Sequence, residues 1–189
     1  SSVSLEKAAK QTRLHSRSAL CITLAALSLK KHIENDGECI SYMSSCDVYS
    51  KMEDNGFKYG AEFALVNRIY SDNELNIAIG HVRRRPSTRV GEIEHSLFPL
   101  TPELDACAHV CIAIDEAVAA SYPVSVEKFS IQSVDLDSVG DFADLDSFYK
   151  SNFVEDDDWV VICRKHCPKI DLEFDIVCIR KRDSCVITF

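Results

Sequence analysis

Residues 100–115, LTPELDACAHVCIAID, read as one buried helix. Thr101 can serve as N-cap, because its hydroxyl can accept a backbone N–H left unpaired in the first turn. Pro102 then falls at the first helical position, where its missing N–H costs nothing and its fixed φ suits the helix. Leu104, Ala108, Cys111 and Ile112 recur at helical spacing and form an apolar stripe. Asp105 and His109 are four residues apart, so their side chains lie one above the other on one face. A carboxyl and an imidazole are expensive to bury in an otherwise apolar helix. Two readings of the pair follow. It is either an ionic pair at the exposed edge of an ordinary helix, or a proton-transfer site in a hydrophobic slot.

The surrounding chain bounds the choice. Its 189 residues suit one domain, or one domain with an appendage, and 46% hydrophobic content is enough for a packed core. There is no internal repeat and no low-complexity tract. A chain that opens on Ser1 rather than Met is expected to be an excised or processed piece of something larger. The longest apolar run, Ala19 to Leu29, is broken by Thr23 and Ser28 and is too short for a membrane span. With no secretory signal either, a cytoplasmic location is expected. The net charge of −9 argues against a nucleic-acid partner. The basic cluster Arg83-Arg84-Arg85, followed by Arg89, reads as a solvated loop or as a contact for an acidic carrier protein or anionic cofactor. Nine cysteines without framework spacing read as reduced thiols. Cys107-x-His109-x-Cys111 and Cys163-Arg-Lys-His166-Cys167 both tempt a zinc reading. Neither has paired Cys-x-x-Cys spacing, and both lie in or beside apolar runs. No metal is expected, and the cysteines are taken as small core hydrophobes.

Along the chain, residues 14–22 alternate as a strand would, whereas Leu24 to Leu29 favours helix; both remain open. Asn35-Asp36-Gly37 marks a turn. Cys46 to Asn55 reads as a short amphipathic helix with Val48, Tyr49 and Met52 on one side and Asn55-Gly56 as its stop. In Gly56-Phe57-Lys58-Tyr59-Gly60-Ala61-Glu62-Phe63, two glycines flank aromatics, which suits a backbone turning tightly beside a packed surface. Phe63 to Tyr70 and Glu74 to Val82 read as strands across a turn at Ser71-Asp72-Asn73, with Leu75, Ile77, Ile79 and His81 on one face. Further strands are read at Val124 to Val134, with a bulge, and at Phe148 to Val154, Trp159 to Arg164, Leu172 to Arg180 and Cys185 to Phe189. Glu155 to Asp158 is read as a solvated acidic turn. One central helix and six or seven mostly antiparallel strands make an α+β layer arrangement. The sheet wraps over a single long helix, which is the outline of a hotdog fold.

Three motifs then occur in order. Gly56 to Phe63 resembles GYxYGPxF, with Ala61 in place of proline. Asp105-Ala-Cys-Ala-His109 resembles DxxxQ/H, preceded by Pro102-Glu103-Leu104 as in HPxLLD. Tyr122-Pro123-Val124-Ser125-Val126 is a loose LPFxW. On these residues the chain resembles the C-terminal half of a dehydratase domain from a polyketide synthase or an animal-type fatty acid synthase. The resemblance covers residues 46–189, leaving 1–45 as a linker or the remnant of a preceding hotdog half. It implies one activity of a multifunctional enzyme. A β-hydroxyacyl chain, tethered by phosphopantetheine to an acyl carrier protein, loses water to give an enoyl thioester. It also implies that Asp105 gives a proton to the leaving hydroxyl, with His109 as its hydrogen-bonding companion. Tyr59, Gly60, Phe63, Leu104 and Pro123 would contact substrate. The partners implied are the carrier protein and neighbouring synthase domains, and no cofactor of the chain's own is implied. For Asp105 to give up a proton, desolvation in an apolar slot has to outweigh the helix dipole, which favours the carboxylate.

One departure from the pattern matters. In the family a base histidine lies in the N-terminal half, within HxxxGxxxxP, and none of the six histidines here has that setting. Three explanations compete. A second hotdog half supplies the base; or a homodimer does so through His15, His81 or His95 across its interface; or the chain is a non-catalytic hotdog module that binds acyl chains or scaffolds a megasynthase.

Overall fold

A computed structural model describes residues 16–34, 40–84, 101–121, 126, 129–133, 157–166, 172–180 and 185–189. In chain order its elements are α1 (Ser16–Glu34), β1 (Ser41–Ser44), α2 (Ser45–Asp54), β2 (Val66–Asp72), β3 (Ile77–Arg83), α3 (Thr101–His109), β4 (Ser130–Ser133), β5 (Asp157–Lys165), β6 (Phe174–Arg180) and β7 (Cys185–Thr188). The strands form one seven-stranded sheet in the order β1-β2-β3-β5-β6-β7-β4, antiparallel at every pairing. The expected α+β architecture, a sheet wrapped over a central helix, is what the chain forms. The short edge strand β1 is an addition to it. The strands read at Phe148 to Val154 and over most of Val124 to Val134 lie outside the described residues.

Register sorts the strand residues between two cores. Side chains alternate across a sheet, so Ala78 and Val82 of β3, Trp159, Val161 and Cys163 of β5, and Ile176 and Cys178 of β6 share one face. There they pack with Ala106, Cys107, Val110, Cys111 and Ile112 from α3 and the turn after it. The opposite parity, Ile77, Ile79, Val160, Ile162, Val177, Ile179 and Val186, faces Cys21, Ile22, Ala25, Ala26 and Leu29 of α1. Each fully buried Ile or Leu contributes about 1.5–3 kcal/mol, so the outer layer is a substantial part of the core. The open reading of residues 14–29 therefore resolves to helix over Ser16–Glu34. Its buried positions recur at helical spacing, and Ser28 Oγ donates a buried 3.1 Å hydrogen bond to Asp72 Oδ2 at the tip of the β2–β3 hairpin.

That hairpin turns later than expected. Asp72 ends β2, and its Oδ1 accepts from the backbone N–H of Glu74 (3.0 Å) and Leu75 (3.1 Å), the side chain standing in for a turn carbonyl. Asn76 closes the turn at φ 52°, in the left-handed region that Asn tolerates. Asp157 and Asp158 are the first residues of β5 rather than a turn, and Arg83 is the last residue of β3 rather than part of a loop. Arg85 and Arg89 lie outside the described residues.

The central helix also differs in detail. It begins at Thr101 itself, which stands in the helix rather than capping it, and it hands over at Val110 to a 3-10 turn, Val110–Ala113. Its buried face carries Ala106, Cys107, Val110, Cys111 and Ile112, while Leu104 and Ala108 are half-buried beside it. Val110 sets the rotation: a Cβ on Gly80 of β3 would lie 2.3 Å from Val110 Cγ2, so the helix end packs where the strand has no side chain.

Two carboxylates, Glu103 buried and Asp115 half-buried, fasten this segment. Glu103 Oε2 accepts from Trp159 Nε1 at 3.2 Å, and Arg180 lies 5.2 Å from the centre of the same indole. Glu103, Trp159 and Arg180 are all buried, so the indole carries a cation against one side and a carboxylate at its edge. Beyond the 3-10 turn, Asp115 Oδ2 accepts from Lys165 Nζ at 2.6 Å, and its Oδ1 caps the 3-10 helix Glu116–Ala120 through Ala117 N–H.

Candidate active site

The spacing of Asp105 and His109 places them together. Asp105 Oδ2 lies 3.3 Å from His109 Nε2, one helical turn apart at the end of α3. The two differ in burial: the His109 side chain is 6% exposed and that of Asp105 is 37% exposed. The contact is close enough for an ion pair but is not aligned as a hydrogen bond. His109 Nδ1 also has no hydrogen-bond partner among the described residues. A buried imidazole is ordinarily oriented by a hydrogen bond to its second nitrogen. Here aromatic rings take that place. Tyr59 meets His109 edge-on with ring centroids 4.5 Å apart, and Tyr49 does so at 5.9 Å.

α2 brings in Tyr49. The helix starts at a reciprocal capping box: Asp47 N–H donates to Ser44 Oγ, and the Asp47 carboxylate accepts from Ser44 N–H at 2.8 Å. It stops at Asn55 and Gly56, whose φ of +89° favours glycine. Val48 and Met52 are buried and Tyr49 is half-buried, as the amphipathic pattern indicated. The Tyr49 hydroxyl accepts the Val66 N–H (3.0 Å) and approaches the Phe63 carbonyl (3.4 Å). Burial pushes its phenol well above the usual range. The hydrogen bond from Val66 and the charge of Arg83 pull it back, and Asp105 pushes it up further. Arg83 closes the same segment: its Nη2 donates to the Ala64 carbonyl at 3.0 Å and its backbone N–H to Leu65 at 2.8 Å.

The expected site residues are thus only partly gathered. Asp105, His109 and Tyr59 meet. Leu104 is half-buried against the core on the same helix. Phe63 is 37% exposed and reaches the cluster through its backbone carbonyl. Gly60 accepts from Phe63 and Ala64 N–H, but a Cβ there would meet nothing within 4 Å, so no packed surface demands glycine. Pro123 lies outside the described residues, as do His15 and His95. His81 is fully buried and shares the α1 face with Ile77 and Ile79, opposite to Asp105, so it is not placed to serve a neighbouring chain. Tyr49 and Arg83 are the site residues that spacing did not single out. The only trace of Tyr49 was its place on the apolar side of the helix.

A cleft of about 250 Å³ opens between α2 and the following loop, lined by Ser45, Cys46, Tyr49, Ser50, Glu53, Lys58 and Tyr59. Its two tyrosines are the rings that meet His109. Cys107, Cys111 and Cys163 are core residues, and no group of three or more His, Cys, Asp or Glu able to hold a metal ion occurs among the described residues. No described helix is long and apolar enough to cross a membrane.

No protein-family model matches the sequence, and no curated protein matches it. Solved structures do. The dehydratase domain of a mycocerosic acid synthase-like polyketide synthase aligns with a TM-score of 0.54 at 15% identity, over 78% of this chain and 47% of that one. An inactive mutant of the CurJ dehydratase, in complex with a small compound, aligns at 0.52 and 17% identity, over 82% and 48%. An inactive mutant of the CurK dehydratase aligns at 0.52 and 16%, over 82% and 47%. The chain spans about half the length of each. It therefore has the hotdog fold of polyketide synthase dehydratase domains, at half the extent of one.

Proposed function

We propose that the chain is a dehydratase-type module acting on β-hydroxyacyl thioesters, carried on the phosphopantetheine arm of an acyl carrier protein within a cytoplasmic polyketide or fatty acid synthase. The observation that carries this reading is the 3.3 Å Asp105–His109 pair on the central helix of a hotdog sheet, with the imidazole buried under two tyrosines. In the reaction a base removes the proton beside the thioester carbonyl. The carbon–carbon double bond forms, and the carbon–oxygen bond of the β-hydroxyl breaks as Asp105 supplies the proton that leaves with it as water. His109 holds the Asp105 carboxyl in place. Tyr59 borders the pair, and Leu104, Phe63, Gly60 and Pro123 bound the acyl chain. No cofactor of the chain's own enters the scheme.

The base comes from elsewhere. Asp105 is more than a third exposed, and a second hotdog unit covering it would both strip that water and bring a histidine. The half-length match to the neighbours and the inactivity of the CurJ and CurK mutants, each with phenylalanine for a histidine, support this arrangement. Cys21, Cys46, Cys107, Cys111, Cys163 and Cys178 are free, which suits a reducing cytoplasm.

Incubation with a β-hydroxyacyl pantetheine thioester, alone and with a separate hotdog half, followed by mass spectrometry for loss of water, tests the reading. Turnover that disappears in Asp105→Asn supports it. The absence of a base motif in this chain favours a second reading, a module that binds acyl carriers without chemistry. Binding without turnover under either condition, unaffected by Asp105→Asn, would establish that one instead.

A further inference from the structure

We propose that Tyr49 is the positioning residue of the site, fixing the imidazole of His109 against Asp105. This deepens the dehydratase reading and rests on it for the role of the pair, but not for the contact itself. His109 lacks the hydrogen bond that would orient its ring. Its Nδ1 is buried without a partner among the described residues, and its Nε2 faces Asp105 off-axis. The ring orientation is therefore left to packing. Among the described residues the rings that pack on it are Tyr59, in the loop after the Gly56 turn, and Tyr49, which sits on a capped helix and is tied at its far end. Its hydroxyl bridges Val66 N–H and the Phe63 carbonyl, so one side chain links α2, the start of β2 and the end of α3. Tyr49 also packs on Tyr59, with centroids 5.9 Å apart, so the anchored ring touches both the imidazole and the closer ring. Geometry at a reacting pair tolerates little slack, because a displacement of about 1 Å can lower a rate on the order of 100-fold.

The imidazole signals of His109, followed by NMR at one pH in the full chain, test this without any need for turnover. Asp105 on α3 and Arg83 on β3, whose charges act on Tyr49, and Glu53 and Lys58 at the cleft beside it are unaltered in the variants. Tyr49→Leu removes the ring. It is expected to move and broaden the His109 ring-proton signals, since the imidazole then loses the anchored ring that packs on it. Tyr49→Phe keeps the ring, loses the anchor, and is expected to give a smaller change in the same direction. His166, paired with Asp175 on the other face of the sheet, is the internal control and stays put. Identical His109 signals in wild type and Tyr49→Leu would overturn the proposal. So would a shift in His166 as large as that in His109, since the effect would then be general loosening. In turnover assays, Tyr49→Phe is expected to lower kcat about tenfold with KM unchanged. A wild-type chain inactive with every partner would strike the dehydratase reading alone, since the NMR comparison decides the role of Tyr49 independently.

Discussion

Tyr59 presents its ring to the edge of His109 at a centroid distance of 4.5 Å and an interplanar angle of 68°. Such a pair is worth about 0.5–1.5 kcal/mol beyond the area it buries. Tyr59→Ala should therefore destabilise the protein by about 1–3 kcal/mol in urea unfolding, since the ring is only half-buried. It should also open His109 to solvent, detected as faster reaction of its imidazole with diethyl pyrocarbonate.

Gly80 should be intolerant of the smallest side chain. A methyl there meets Val110 at 2.3 Å, so Gly80→Ala is expected to cost about 1–3 kcal/mol through overpacking. Val110→Ala in the same chain should recover part of that loss, giving a favourable coupling energy in a double-mutant cycle. Strict additivity would mean that the helix end does not rest on this strand.

Removing α1 should uncover one side of the sheet. A chain limited to residues 40–189 keeps the described strands but loses Cys21, Ile22, Ala25, Ala26 and Leu29 from the outer core. It is expected to bind 1-anilinonaphthalene-8-sulfonate strongly and to aggregate, because a bare apolar sheet face of this size is an association surface. In the complete chain, Ser28→Ala should loosen the same layer by about 1–2 kcal/mol by taking one donor from Asp72.

Asp115 should make stability depend on pH in acid. The hydrogen bond from Lys165 holds its carboxyl below the usual range, with the Ala117 N–H adding to this. The folded value lies below the unfolded one of about 3.9, so the unfolded chain binds more protons through this window and stability rises with pH across it. The contribution is complete above about pH 5 and lost as pH falls through the folded value. The stability difference between wild type and Asp115→Asn, measured by urea unfolding from pH 2 to pH 7, should shrink toward low pH. A constant difference would place the effect in packing instead.

Thiol reactivity should separate six of the cysteines into two groups. Cys46 is exposed, while Cys21, Cys107, Cys111, Cys163 and Cys178 are buried. Burial pushes the Cys21 thiol up to about 12, and it pushes Cys107 and Cys163 well above the usual thiol range. Iodoacetamide at pH 8 should label Cys46 in the native protein and the buried group only on unfolding, as read by peptide mapping. Labelling of Cys107 at the rate of Cys46 would mean that α3 lifts from the sheet.

The Asp105–His109 pair was legible from sequence because helical geometry alone puts residues four apart on one face. Strands β5, β6 and β7 were legible for a similar reason, as short apolar runs between polar breaks. Tyr49 was not. Spacing marked it as an inward-facing helix residue, and nothing local brings α2 against the end of α3. α1 was ambiguous because its apolar residues satisfied both a period of two and a helical period, and packing on the outer face decided between them. A trace of that second layer was present: Val160 to Cys163 and Ile176 to Ile179 are apolar at consecutive positions, whereas a sheet with one wet face alternates. The late hairpin turn went unread because Asp72 acts through its side chain, which looks from sequence like any polar residue near a turn.

The chain contains one tryptophan, and it is Trp159, whose indole N–H holds the central helix through Glu103. Under excitation selective for tryptophan, its emission consequently comes from a single fluorophore seated beside the helix that carries Asp105 and His109. The protein thus possesses an intrinsic optical gauge, in which a carrier-borne chain or a second unit that tilts this helix declares itself as a change in one spectrum, with no label attached.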